Sequence, residues 1–362
     1  MVRNESLIEV ICMLGDREKQ MVEAVIQKAE CVCPGSLAMV GVYGSFATGD
    51  VHEKSDLDLL ILIDDELGYQ LSHAFILDDT GVGYDLYCTT WQRLESDAQC
   101  RHPHLAKLLD SQIVYMRHPD NGERLNALRV QAKATLASPV RFERSRDALA
   151  KAKSAYADCA MALTLHEARA SAAEMISYML DAVMLYHGRY FSRGVKRTFE
   201  ETRQLNLPFD LQESILRIIR EETSQGVIAA ATATLREITA AMPFPAEKAA
   251  PSAANLTGTY EEMYSNWRGK MAEATAHHDV FASFMNLAWF QGMLQGIAAE
   301  AEIPQYTMLG RFDPVRLERN AALFDETLAS YEAVYRQAGM QPVRYRDVEA
   351  FRKMYAPDGM EA

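Results

Sequence analysis

Between residues 41 and 63 the chain reads GVYGSFATGDVHEKSDLDLLILI. Asp56 and Asp58 stand two apart at the opening of an apolar run, and the strand period of two sends both side chains to one face. Carboxylates so placed repel unless a cation lies between them or one takes a proton. Their oxygens are hard ligands suited to Mg²⁺, which keeps several waters and bridges to substrate phosphates. Upstream, Gly44-Ser45 closes a second apolar run. A glycine there lets the backbone approach a ligand, helix-start amides donate to anions, and the Ser45 hydroxyl can reach a phosphate oxygen. The plainer alternatives are strand-end aspartates facing water and a serine that only caps a helix. Taken together, a phosphate cradle beside paired carboxylates describes a place for a metal-bound nucleotide.

The elements that must hold these residues can be read from periodicity. Residues 37–43 (LAMVGVY) form a short buried-strand pattern, and 57–63 (LDLLILI) is apolar on both faces, as expected of a central strand. Residues 16–30 carry apolar positions at helical spacing, with Asp16 expected as N-cap. Runs at 73–77 and 84–89 flank Asp78-Asp79-Thr80-Gly81, a turn signal that predicts a hairpin. A last strand is expected at 113–116, ending in the turn-like stretch from His118 to Gly122.

Gly44-Ser45, ten intervening residues and then Asp56-Leu57-Asp58-Leu59 resemble the signature of the DNA polymerase β-type nucleotidyltransferase superfamily. Gly49 inside the connection and Ser55 before the acidic pair also match its GSxxxGxxxxxSDLDLL form. The motif covers about a tenth of the chain. The resemblance implies an α+β fold: an N-terminal mixed β-sheet flanked by helices, followed here by a mostly α-helical C-terminal region. It also implies a third carboxylate on a neighbouring strand, and Asp85 in GYDLYCTTW sits where that residue is expected. Asp56, Asp58 and Asp85 would then be the catalytic and metal-holding set for Mg²⁺, two ions in all, with Gly44, Ser45 and Ser55 binding ATP or another nucleoside triphosphate. The implied reaction moves a nucleoside monophosphate, AMP from ATP, to a hydroxyl and releases pyrophosphate. Asp85 is also available as base for that hydroxyl.

Beyond residue 123 strand signals nearly vanish, and helices are expected at 143–166, 168–190, 193–204, 210–223, 225–241, 258–275, 278–301, 314–338 and 345–355. The Pro- and Ala-rich stretch 242–255 reads as a linker. The expected domains are therefore 1–122, 123–241 and 256–362, the last a second bundle or an extension of the first. Residues 175–201 are similar to the helical region of small-molecule members such as antibiotic nucleotidyltransferases, which points to a small hydroxylated acceptor of aminoglycoside-like character. The basic side chains Lys151, Lys153, Arg193, Lys196 and Arg197 could reach a triphosphate or simply face water. Met175, Met179, Val183, Tyr186 and Tyr190 have helical core spacing. Adjacent His277 and His278 point about 100° apart on a helix, so a helix start capped by Asp279 is expected there, not a metal site. Trp289 and Phe290 read as core, and Gly292 and Gly296 as close-packing positions.

The 362 residues carry 37 Lys and Arg against 50 Asp and Glu, a formal charge of -13. That deficit points away from nucleic acid, whose binding rests on neutralising phosphates with basic side chains. The six cysteines make no C-x-x-C pair. The opening residues lack a signal-peptide pattern and no long apolar run occurs, so a reduced, soluble, cytoplasmic protein without membrane contact is expected. Two other readings stay open: an antitoxin-like AMP transferase acting on a protein, and a non-catalytic nucleotide-binding protein.

Overall fold

The strand that opens with Asp58 lies deep in the fold. In β2 (Asp58–Ile63) every residue after Asp58 is buried, because β2 is flanked by strands on both edges and covered on both faces. A computed structural model describes residues 14–51, 55–245 and 248–355; Cys12 and the opening segment lie outside them. The chain divides into two compact units, Met1–Phe244 and Pro245–Ala362.

In the first unit α1 (Asp16–Val32) leads into β1 (Leu37–Tyr43). Gly15, not Asp16, is the N-cap of α1; Asp16 and Glu18 occupy its first turn, where their charge suits the positive end of the helix dipole. A one-turn helix, α2 (Ser45–Thr48), follows β1 and precedes β2. Then come the hairpin β3 (His73–Leu77) and β4 (Val82–Leu86), β5 (Cys88–Thr90), α3 (Trp91–Asp97), α4 (Ala106–Leu109) and β6 (Gln112–Met116).

The main sheet has the order β5-β2-β1-β6. β1 runs antiparallel to β2, with Tyr43 opposite Asp58, and also antiparallel to β6. β5 runs parallel to β2, so the sheet is mixed. The run expected at 84–89 is two strands: β4 pairs with β3, and after Tyr87 the chain joins the main sheet as β5. One sheet face (Val40, Val42, Leu59, Ile61, Ile63) packs with α1 residues Val22, Val25 and Ala29.

The other face (Met39, Leu60, Leu62) belongs to a core that runs without interruption into the helices α5 (Pro119–Ala137), α6 (Val140–Met161), α7 (Leu165–Tyr186), α9 (Leu211–Arg220) and α10 (Ser224–Ala241), with short α8 (Thr198–Thr202) between α7 and α9. The turn-like stretch after His118 is in fact the start of α5. Pro119 takes the first helical position, where its missing N–H costs nothing and its fixed φ suits the helix. Helix 193–204 is instead a chain of short 3₁₀ and α turns. Met175, Met179 and Val183 are fully buried as their spacing requires. The α6–α7 connection is fixed by a capping box in which Thr164 and Glu167 satisfy each other's backbone amides.

The second unit is helical: α11 (Ala253–Leu256), α12 (Thr259–Met263), a π-helical turn Tyr264–Arg268, α13 (Gly269–Ala276), α14 (Val280–Glu300), α15 (Leu317–Gln337) and α16 (Val348–Tyr355). Asp279 caps α14, accepting from the Ala282 amide at 2.9 Å. Phe290 is buried, but Trp289, one residue before it and turned about 100° away, is 54% exposed. Gly292 and Gly296 are exposed with open space at their Cα, so they do not pack a helix closely. Among the described residues no helix is long and apolar enough to cross a membrane, and the described cysteines are free thiols.

Candidate functional site

Gly44 ends β1 with φ 68° and ψ -141°, a conformation open in practice only to glycine. The reason for it is contact: a side chain at this position would overlap the Asp58 carboxylate, whose Cγ lies 2.8 Å from where a Cβ would stand. The turn and the first strand residue after the loop are thus packed directly together. Ser45 opens α2, its carbonyl accepting from the Asp50 amide at 3.0 Å, and Thr48 donates its hydroxyl back to the Gly44 carbonyl at 3.1 Å. Ser55 is half-buried immediately before the acidic pair.

Asp56 is exposed and Asp58 half-buried. Burial and then the neighbouring Asp56 charge push the Asp58 carboxyl up to about 6, with the Lys107 ammonium opposing them. The Asp58 carboxylate is therefore kept charged at an energetic cost, mostly from burial, that a bound cation would relieve. Asp85 lies on β4, exposed and opposite Ala74 in the hairpin. Asp58, Asp56 and Asp85 all act on the Tyr43 phenol; together with its burial, which is the larger cause, they raise it well above the usual tyrosine range. Among the described residues no three His, Cys, Asp or Glu side chains are grouped to enclose a metal ion. Mg²⁺ is commonly held by one or two carboxylates, with water and substrate phosphate filling the rest. Asp56 and the half-buried Asp58 fit that donor set.

The residue that sequence reasoning missed is Lys107, at the start of α4. Its ammonium stands 5.6 Å from the Tyr43 ring centre and 5.0 Å from that of Tyr87, and donates to Thr89 Oγ1 at 3.3 Å. Burial pulls it below the ordinary lysine value, while Asp97, Asp58 and Asp85 hold it up. Nothing in the local pattern LAKLLD singles it out. Only the fold brings α4 to the end of β1 where the acidic pair lies. Replacing Lys107 by Met is expected to raise the Asp58 carboxyl above about 6 and to cost about 1 kcal/mol through lost cation–π contact. Carboxyl ¹³C titration would check this, and an Asp58 curve superposable on wild type would show that the ammonium does not reach it.

Of the basic residues that could reach a triphosphate or face water, Arg193, Arg197 and Lys151 are engaged with other side chains. Arg197 grips Asp50 through both carboxylate oxygens, at 2.9 and 3.2 Å, and also bonds Glu200 at 2.6 Å. Arg193 stands 3.5 Å from both carboxylates. The Arg197 hydrogen bond is the main reason the Asp50 carboxyl lies below the usual range. These contacts tie the segment after α7 to the loop that follows Gly49. Lys151 lies over the Tyr178 ring, and Lys153 lines a groove with Tyr156 and Thr232.

Residues 19–150 match the family described as the nucleotidyltransferase domain. The N-terminal part of the chain is a nucleotidyltransferase-type domain. A distinct helical region follows it. Among solved structures, the chain is similar to a nucleotidyltransferase-like protein from Exiguobacterium sibiricum 255-15, at 14% identity and a TM-score of 0.32, over 68% of this chain and 80% of that one. No curated protein matches the sequence.

Proposed function

We propose that the protein is a Mg²⁺-dependent nucleotidyltransferase that moves a nucleoside monophosphate, AMP from ATP, to a hydroxyl of a small molecule and releases pyrophosphate. The observation that carries this reading is Asp58, two residues after Asp56, packed on the Gly44 turn, inside a domain that matches the nucleotidyltransferase family. Asp56 and Asp58 hold the ion, with Asp85 completing the acidic set from the hairpin. When bound, Mg²⁺ neutralises triphosphate charge and stabilises the oxygens of the displacement. Gly44 gives the backbone its close approach, and the Ser45 hydroxyl and Lys107 ammonium supply donors to phosphate oxygens. Orientation and charge neutralisation account for most of the acceleration in such a site.

The test is direct. The protein is incubated with Mg²⁺, α-labelled ATP and a panel of hydroxylated amines and other alcohols, and pyrophosphate and labelled product are followed. Transfer by wild type, reduced at least 1,000-fold or so in Asp56→Asn, is the expected result. Nucleotide affinity with no turnover on any alcohol would overturn the proposal, and label appearing on protein would replace the small acceptor by a polypeptide one.

A further inference from the structure

Next to Lys107 lies a cavity of about 390 Å³ lined by Tyr87, Arg93, Asp97, His102, His104 and Lys107. Lys107 joins it to the acidic pair, because the same ammonium faces Tyr87 on the cavity wall and Tyr43, the register partner of Asp58. The Asp97 side chain is only 8% exposed, and its Oδ1 is faced by Arg93 Nε at 3.3 Å and His102 Nε2 at 3.4 Å. That carboxylate is therefore turned to groups of the protein, and the cavity is lined with polar and charged side chains suited to a hydroxylated molecule.

His104 is built differently from a surface histidine. Its Nε2 lies 3.0 Å from Asp181 Oδ1, and Asp181, on α7, is only 13% exposed. Its ring stacks on Phe191 with centres 5.3 Å apart, and the Phe191 amide donates to the Pro103 carbonyl at 2.8 Å, pinning the loop beside it. The imidazole is thereby oriented by a carboxylate from the helical region, its Nδ1 is the remaining ring nitrogen, and the side chain is 60% exposed. A ring nitrogen held by a carboxylate partner is how proteins fix the tautomer and stabilise the imidazolium of a working base.

We propose that His104, oriented by Asp181, takes the proton of the acceptor hydroxyl, with the acceptor seated in this cavity. The proposal rests on the nucleotidyl-transfer reading above. It supplies a base there other than Asp85, which that reading places in the acidic set. The hydroxyl oxygen forms its bond to the α-phosphorus as the O–H pair becomes available. The bond from that phosphorus to the bridging oxygen breaks, and pyrophosphate leaves with the electron pair. The proton goes to His104 Nδ1 and from the imidazolium to water. The groups facing His104 are Asp181 on α7, His102 on the same loop, Arg93 and Asp97 on α3, Lys107 on α4 and the Tyr87 hydroxyl. Asp181 raises its pKa and burial partly opposes this. The neutral base form therefore fills above the ordinary imidazole range, and the transfer rate rises with pH through it.

The experiment follows pyrophosphate release from Mg·ATP with the best alcohol of the panel across pH 5–9, for wild type, His104→Gln and Asp181→Asn, with calorimetric affinity for Mg·α,β-methylene-ATP alongside. His104→Gln should lower kcat about 100-fold or more and lose the acidic limb. Asp181→Asn should lower kcat about 10-fold and move that limb to lower pH. Both should bind the analogue as wild type does, which also reports that they fold. A wild-type pH profile in His104→Gln overturns this role and leaves nucleotidyl transfer standing. Should His104→Gln not fold, an unmoved limb in Asp181→Asn overturns it equally. A wild type that turns over no alcohol overturns both proposals.

Discussion

In metal-free buffer at pH 7, Asp58→Asn should be more stable than wild type by up to about 3 kcal/mol, raising the melting temperature by roughly 5–10 °C. The carboxyl is raised from 3.8 to about 6 by burial and by Asp56, so the folded protein binds this proton more tightly than the unfolded chain does. Stability from this source is fully present below about pH 4 and is lost as pH rises through about 6. Asparagine keeps the shape and removes the charge, so it escapes the loss. Mg²⁺ should then stabilise wild type at pH 7 and leave the variant unmoved, because the variant lacks the second carboxylate. Thermal melts at pH 5 and 7, with and without Mg²⁺, read all of this. Identical melting curves for the two proteins under every condition would mean that Asp58 behaves as a solvated surface carboxylate.

Gly44→Ala should be strongly damaging to stability and to the site. The added carbon would overlap the Asp58 carboxylate, and the backbone at φ 68° and ψ -141° is one that alanine resists. Together these should cost about 3 kcal/mol. The displaced carboxylate should lower nucleotidyl transfer by a factor on the order of 100. Gly49 provides the comparison. It too has a positive φ, of 73°, but nothing lies within 4 Å of a Cβ there, so Gly49→Ala should cost only about 1 kcal/mol. Urea titration and pyrophosphate release on the two variants would separate contact from backbone strain; equal losses at the two positions would show that strain alone accounts for the effect.

What the sequence disclosed of the fold was what local periodicity encodes. β1, β2, the β3–β4 hairpin, α1 and the long helices follow from apolar spacing and turn residues. Departures came where one residue has two uses. Pro119 ends a strand's turn and equally well starts a helix, and α5 followed from the second use. Trp289 sits among apolar neighbours, but its own azimuth on α14 faces water. The site divides in the same manner. Gly44, Ser45, Asp56 and Asp58 are contiguous enough in sequence to be legible as a pattern. Lys107, Asp97, His104 and Asp181 come from α3, α4, a loop and α7, and only packing brings them into one neighbourhood. Arg193 and Arg197 were visible as basic residues, but their carboxylate partner Asp50 lies 143 and 147 positions earlier in sequence.

The unbroken core that joins Leu60 and Leu62 of the sheet to helices as distant as α10 bears on how such a chain can diversify. The match to the nucleotidyltransferase family ends at residue 150, yet one face of its sheet packs into a core continuous with side chains beyond that point. A lineage cannot graft a foreign acceptor-choosing module onto this scaffold by recombination at the motif's edge without also rebuilding the interior beneath β2. On the proposed seating of the acceptor, new specificities would more readily come from substitutions along the rim of the 390 Å³ cavity, where side chains can change while the apolar mortar behind them is left alone.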